Sequence, residues 1–181
     1  MKTVLSFVFS IVLACFAAPL AHAQNSAPPP CQGEEFHQLD FWLGEWDASW
    51  EASGSTPAGS GTNAITRQLG DCVIQEDFVA DASVGGLIGR SVSLYDARAG
   101  AWRQTWVDNQ GGYFALVGGP EEGGSVFELT MTRISEEAPH LRMRFEDIEE
   151  NSFIWRWQRS SDAESWTDLW VISYHRRDSG S

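Results

Sequence analysis

Leu141-Arg142-Met143-Arg144-Phe145-Glu146 alternates without a break between apolar and charged side chains. A strand points successive side chains to opposite faces, so period two marks a strand with one buried face. Leu141, Met143 and Phe145 share that face, and Arg142, Arg144 and Glu146 share the other. The flanking segments behave alike. Upstream, Phe127, Leu129 and Met131 alternate with Glu128, Thr130 and Thr132. Downstream, Phe153, Trp155 and Trp157 alternate with Ile154, Arg156 and Gln158, clean apart from Ile154.

Working outward, the chain breaks into runs rich in Val, Ile, Thr, Phe, Tyr and Trp, separated by Gly, Asp, Asn or Pro clusters. Ten strands are predicted: 44–52, 61–69, 72–80, 88–95, 101–108, 112–117, 125–134, 140–148, 152–159 and 166–175. Several connections are tight. Gly70-Asp71 suits a two-residue hairpin, Asn109-Gln110-Gly111 a short turn, and 96–100 a five-residue loop. Such connections allow only antiparallel neighbours. A ten-stranded meander leaves two exposed edges unless it closes, and closure gives a barrel. Ten strands make it wider than a side-chain-filled eight-stranded barrel, so it has room for a cavity. Residues 34–43 predict a short helix before the first strand, with Phe36, Leu39, Phe41 and Leu43 apolar. The expected class is all-β: one antiparallel up-and-down barrel of about ten strands with a short N-terminal helix, spanning 34–177. No internal repeat or second domain is visible.

The segment before the barrel reads as an export signal. Lys2 is followed by an apolar run from Val4 to Leu20, and Ala21-His22-Ala23 has the small-x-small pattern of a cleavage site. A membrane anchor fits less well, because the run is near the lower length limit and no cation follows it. Val12-Leu13-Ala14-Cys15 loosely resembles a lipoprotein box, the main alternative. Cleavage after Ala23 leaves 158 residues, a leader at 24–33 and a short tail at 178–181. The expected destination is the periplasm or the extracellular space. There, Cys31 and Cys72 read as one disulfide. Such a bridge adds about 4 kcal/mol in the chain-entropy treatment.

The 181 residues hold 12 Lys+Arg against 25 Asp+Glu, a net charge of −13. Lys2 is the sole lysine, so the mature chain carries −14 and none. That balance argues against nucleic acid or an anionic membrane as partner. It also excludes Schiff-base chemistry.

Polar residues on strand faces give the candidate site. Trp102, Gln104, Trp106 and Asp108 share one face; Ser91, Ser93 and Tyr95 share a face of the preceding strand. Turned inward, they form an aromatic wall with hydrogen-bonding groups, as small-molecule sites have. Turned outward, they are ladders on a wet surface. Val92 and Leu94 opposite favour the outward reading for the Ser91 strand. Asn63 and Arg67 share a face of one strand, and Glu76 lies on the next. If both faces are inward, Arg67 and Glu76 come within diagonal reach, as a structural ion pair or as a polar anchor for a ligand. Arg142, Arg144, Arg156 and Glu146 read as a solvent face that supplies solubility and edge protection.

Leu39-Asp40-Phe41-Trp42-Leu43-Gly44-Glu45-Trp46-Asp47 resembles the opening of a family of bacterial, often exported, lipocalin-like barrels of no established function. Gly61 to Ile65, Cys72 to Glu76, Gly89 to Asp96 and Trp102 to Asp108 resemble further pieces of it, in order. Gly44-x-Trp46 after a short helix resembles the opening of lipocalins and other calycins. That resemblance implies that Trp46 closes one barrel end and that Gly44 allows close packing. More distantly, the pattern resembles the nitrobindin haem proteins, which implies haem on a histidine near the C-terminus, here His175. The glycine-rich extension of nitrobindins is missing, and Arg176-Arg177 follows His175, which suggests an exposed strand end.

Catalytic signatures are scarce. Gly89-Arg90-Ser91-Val92-Ser93 lacks the second glycine of a nucleophile elbow. Glu34-Glu35-Phe36-His37 holds half a dinuclear metal motif without a second copy. No phosphate, dinucleotide or calcium loop is present. Asp40, Glu45 and Asp47 gather at the expected barrel mouth. The expectation is an exported barrel that holds a partly apolar small molecule, without metal or cofactor. Trp102, Trp106, Trp155 and Trp157 supply apolar contact; Asn63, Arg67, Glu76 and Gln104 orient. The alternatives are an enzyme with Glu76 or Asp108 as base in the same cavity, and the haem reading.

Overall fold

The computed structural model describes residues 30–54 and 56–177. The export signal, Cys15, most of the leader and the tail at 178–181 lie outside the described residues. Ten strands occur in the expected order: β1 (Gly44–Trp50), β2 (Gly59–Gln68), β3 (Val73–Ala80), β4 (Ile88–Asp96), β5 (Ala101–Asp108), β6 (Tyr113–Pro120), β7 (Phe127–Met131), β8 (His140–Glu146), β9 (Ser152–Ser160) and β10 (Thr167–Arg176). Each pairs antiparallel with its neighbours in sequence, and β1 pairs with β10. The sheet is therefore a closed barrel without edges.

The alternation places the core as expected. Phe127, Leu129, Met143, Phe145 and Phe153 are buried inside. Outside, the charged sets of β7 to β10 interlock. Arg142 and Arg144 both donate to Glu128, Arg144 and Arg156 both reach Glu146, and Arg156 continues to Asp168. The expected role in edge protection is corrected, because no edge exists here. The ladder ties four strands across the outer wall.

Three local expectations change. Residues 34–43 form two 3₁₀ turns, Glu34–His37 and Asp40–Trp42, in place of one helix. Phe36, Leu39 and Trp42 recur every third residue, the 3₁₀ repeat, which puts Leu39 and Trp42 in the core and Phe36 edge-on against Tyr95. The connection at Gly70-Asp71 is a four-residue loop, because Gln68 still pairs with Val73. Leu69, Gly70 and Asp71 all take left-handed backbone there. The Ser91 strand faces inward: Ser91 and Ser93 are buried, while Val92 and Leu94 are 43% and 38% exposed. Val92 and Leu94 stand apolar on the outer face, and hydrogen bonds with Glu76 and Gln104 inside account for the buried serines.

The two barrel ends differ. At one end, Trp46 is fully buried and donates its indole N–H to the Trp42 carbonyl at 2.8 Å. The Arg176 guanidinium lies 4.1 Å over the Trp46 ring and donates to the Leu43 carbonyl. Gly44 has φ 124°, and a Cβ there would overlap Arg176. Cys31 and Cys72 form a disulfide at this end, with Cα atoms 5.2 Å apart. It pins the N-terminal arm beside the start of β3. Among the described residues, no helix is long and apolar enough to cross a membrane.

Candidate functional site

A cavity of about 150 Å³ occupies the other half of the barrel. Trp42 from the second 3₁₀ turn bounds it, and the walls come from β3, β5, β6, β8, β9 and β10. Trp106, Asp108, Phe114, Trp157 and Leu87 carry it toward the end where β5 turns into β6. Alternation explains the wall. Glu76 and Phe78 are two apart on β3, Gln104, Trp106 and Asp108 on β5, and Trp155 and Trp157 on β9. On β10, a bulge between Asp168 and Trp170 resets the register, so Trp170, Ile172 and Tyr174 all face in.

The aromatic rings are set at defined angles. Trp155 and Trp157 are near parallel, at 6° with centroids 6.4 Å apart. Trp170 stands at 87° to Trp155 and at 87° to Phe78, each 5.9 Å away. The indole N–H groups of Trp42 and Trp170 have no hydrogen-bond partner.

Glu76 is the buried charge of this wall. Ser91, directly opposite on β4, donates to its Oε2 at 2.6 Å. Asn63, diagonal on β2, donates to Oε1 at 2.8 Å and also reaches the Tyr174 hydroxyl at 3.4 Å. Burial pushes the carboxyl up to about 7, and the two donors only partly offset it. Burial, then the nearby Glu76, also pushes the Tyr174 phenol up. A second polar pair lies beside this group, where Gln104 donates to Ser93 at 3.0 Å.

Asp108 has a different character. Its Oδ1 accepts the backbone N–H groups of Gln110 and Gly112, and its Oδ2 accepts the Trp106 indole at 3.0 Å. Burial opposes ionisation there, but these donors outweigh it and hold the carboxyl below its ordinary value. Asp108 is thus an ionised turn-former that orients Trp106, not a group poised to exchange protons near neutrality.

Six of the nine ligand-site candidates line the cavity: Glu76, Gln104, Trp106, Asp108, Trp155 and Trp157. Asn63 is buried just behind Glu76. Trp102 lies elsewhere, buried toward the closed end with its indole on the Gln38 side chain. Arg67 is also outside the cavity. It donates to Asp40 and, at 3.0 Å, to the Phe36 carbonyl, so it clamps the 3₁₀ turns to the barrel. The proposed Arg67–Glu76 pair does not form; Arg67 sits at the end of β2, where the N-terminal arm supplies a nearer carboxylate. Asp40, Glu45 and Asp47 belong to this closed end rather than to the cavity mouth.

Trp42, Trp170 and Tyr174 are lining residues that sequence reasoning passed over. The signal for Tyr174 was its alternation with Ile172 along β10, whereas simple alternation groups Trp170 with the outward Asp168 because of the bulge between them. Trp42 required knowing that the 3₁₀ turns fold into the barrel. His175 is exposed and stands on the outer face beside Asp47. The residues present therefore do not fit haem held in the cavity through His175. Among the described residues, no cluster of three or more His, Cys, Asp or Glu suits a metal ion.

No protein-family pattern matches the chain, and no curated protein matches it. Solved structures do. Rv2717c of M. tuberculosis superposes with a TM-score of 0.54 at 14% identity, over 80% of this chain and 98% of that one. At that identity the likeness shows the barrel fold alone, and on that ground the chain is a closed ten-stranded antiparallel β-barrel.

Proposed function

We propose that the protein is an exported, lipocalin-like barrel that binds one compact, partly apolar small molecule. The observation that carries this is the cavity: an aromatic enclosure with a single buried carboxyl, Glu76, in its wall. Ligand sites combine apolar lining with few placed polar groups in this way. A cavity of this size holds roughly one benzene-sized molecule. The Cys31–Cys72 bridge supports an oxidising destination, the periplasm or the exterior. The net charge supports a partner other than nucleic acid.

Tryptophan fluorescence reports directly on this wall. Titration with single-ring aromatics, short-chain lipids, small amines and haem is expected to give a saturable change with at least one compact class. Silence with all of them overturns the binding reading. For haem, a shifted Soret band on addition would restore the nitrobindin-like alternative against the position of His175.

One observation favours an enzyme as the second reading. Burial pushes the Glu76 carboxyl up to about 7 inside the cavity, the range that suits a general base at neutral pH. Loss of turnover with retained binding in Glu76→Gln would establish it once a substrate is known.

A further inference from the structure

The charges around the cavity are all of one sign. Glu76 and Asp108 are the charged groups among its lining residues, and no arginine or histidine joins them. An anionic ligand would meet two carboxylates and no counter-charge. A neutral one would pack against the eight aromatic side chains of the wall but leave its carboxylates without a counter-charge. Trp155 and Trp157 lie parallel and Trp170 stands nearly perpendicular to Trp155. These rings line one volume from two neighbouring strands, β9 and β10. The negative face of an indole attracts cations, most strongly when water is excluded.

Building on the ligand-binding reading above, we infer that the cavity takes a compact organic cation, an amine or quaternary ammonium, held against the tryptophan faces and charge-matched by Glu76. Glu76 has capacity for this role. Asn63 and Ser91 each occupy one lone-pair site, and a carboxylate has about four. The size of the cavity limits the cation to a single small head group.

A cation stabilises the ionised form of Glu76, so it binds better as that carboxyl loses its proton. The groups around Glu76 do not compete with it for this role. Asn63 on β2 and Ser91 on β4 are neutral. Tyr174 on β10 is raised, so it stays protonated. Asp108 is lowered and stays ionised, and so does Asp77, which pairs with Arg90 on the outer face.

The test uses choline and tetramethylammonium, which do not titrate, against 3,3-dimethylbutan-1-ol, the uncharged carbon isostere of choline. Tryptophan fluorescence is followed at about pH 6 and about pH 8. Choline is expected to bind about tenfold or more tighter than its isostere at the higher pH, and to weaken severalfold at the lower. Glu76→Gln is expected to abolish the pH effect while near-UV circular dichroism stays native. Should that variant fail to fold, the natural protein decides alone, through the pH profile of choline set against that of the isostere, which carries no charge for Glu76 to match. Equal affinity for choline and isostere, or a flat profile for choline, overturns the inference. Binding of neutral aromatics without either cation overturns it too, but leaves the ligand-binding reading standing. No binding of any probe overturns both.

Discussion

Ser91 donates its hydroxyl to Glu76 Oε2 at 2.6 Å from the strand position directly opposite. With Asn63 on the other oxygen, this bond makes a buried carboxyl tolerable without a cation beside it. It does not restore the pKa, which burial raises from 4.5 to about 7.

A pH dependence of stability follows. Between pH 4.5 and about 7, the folded protein keeps a proton that the unfolded chain has released. This contribution is therefore fully present below 4.5 and is lost as pH rises through 7. The full effect is on the order of 3 kcal/mol. Urea unfolding from pH 4.5 to 8 should show natural protein losing stability relative to Glu76→Gln. Parallel curves would mean that Glu76 ionises at its ordinary pKa.

The disulfide makes a second prediction. Cys31→Ser with Cys72→Ser should lower stability by about 4 kcal/mol, since the bridge closes a loop across 41 positions. Intact mass before and after alkylation, without reductant, checks the bond itself. Uptake of alkylating agent by the folded protein would show free thiols.

The closed end gives a third. Gly44 combines positive φ with the Arg176 side chain packed where a Cβ would sit. Gly44→Ala should therefore cost about 2 kcal/mol or more, from backbone strain together with displacement of Arg176 from Trp46. That corresponds to a fall in Tm of roughly 4–8 °C. Arg176→Ala, which removes the cation and keeps the glycine, should cost less. Equal Tm values for Gly44→Ala and the natural protein would show that the end relaxes freely.

How far the sequence foretold this depended on whether local rules applied. Leu141 to Glu146 carries its own period, so the strand, its inward face and the antiparallel meander were legible there. Ser91 was not, because a serine is buried only when a partner waits inside, and Glu76 lies 15 positions away. Arg67 failed for a related reason. Its partner, Asp40, reaches it only after the arm folds across the barrel end. Trp170 was hidden by a bulge that breaks period two. Non-local partners and one irregular backbone step thus account for the misassigned site residues.

Gly89 tests whether the cavity is the functional feature. Trp106 lies against Gly89, and a Cβ there would overlap the indole. The residue has an ordinary strand conformation, so alanine brings no left-handed strain. Gly89→Ala must instead displace Trp106, breaking its bond to Asp108 and changing the cavity wall. The barrel should persist, because the β4 hydrogen bonds are backbone ones, with a loss of about 1–3 kcal/mol from overpacking. Near-UV circular dichroism should change in the tryptophan region. Affinity for whichever compact probe binds the natural protein should fall by about tenfold or more. Unchanged affinity with a displaced Trp106 signal would place the binding site outside this cavity.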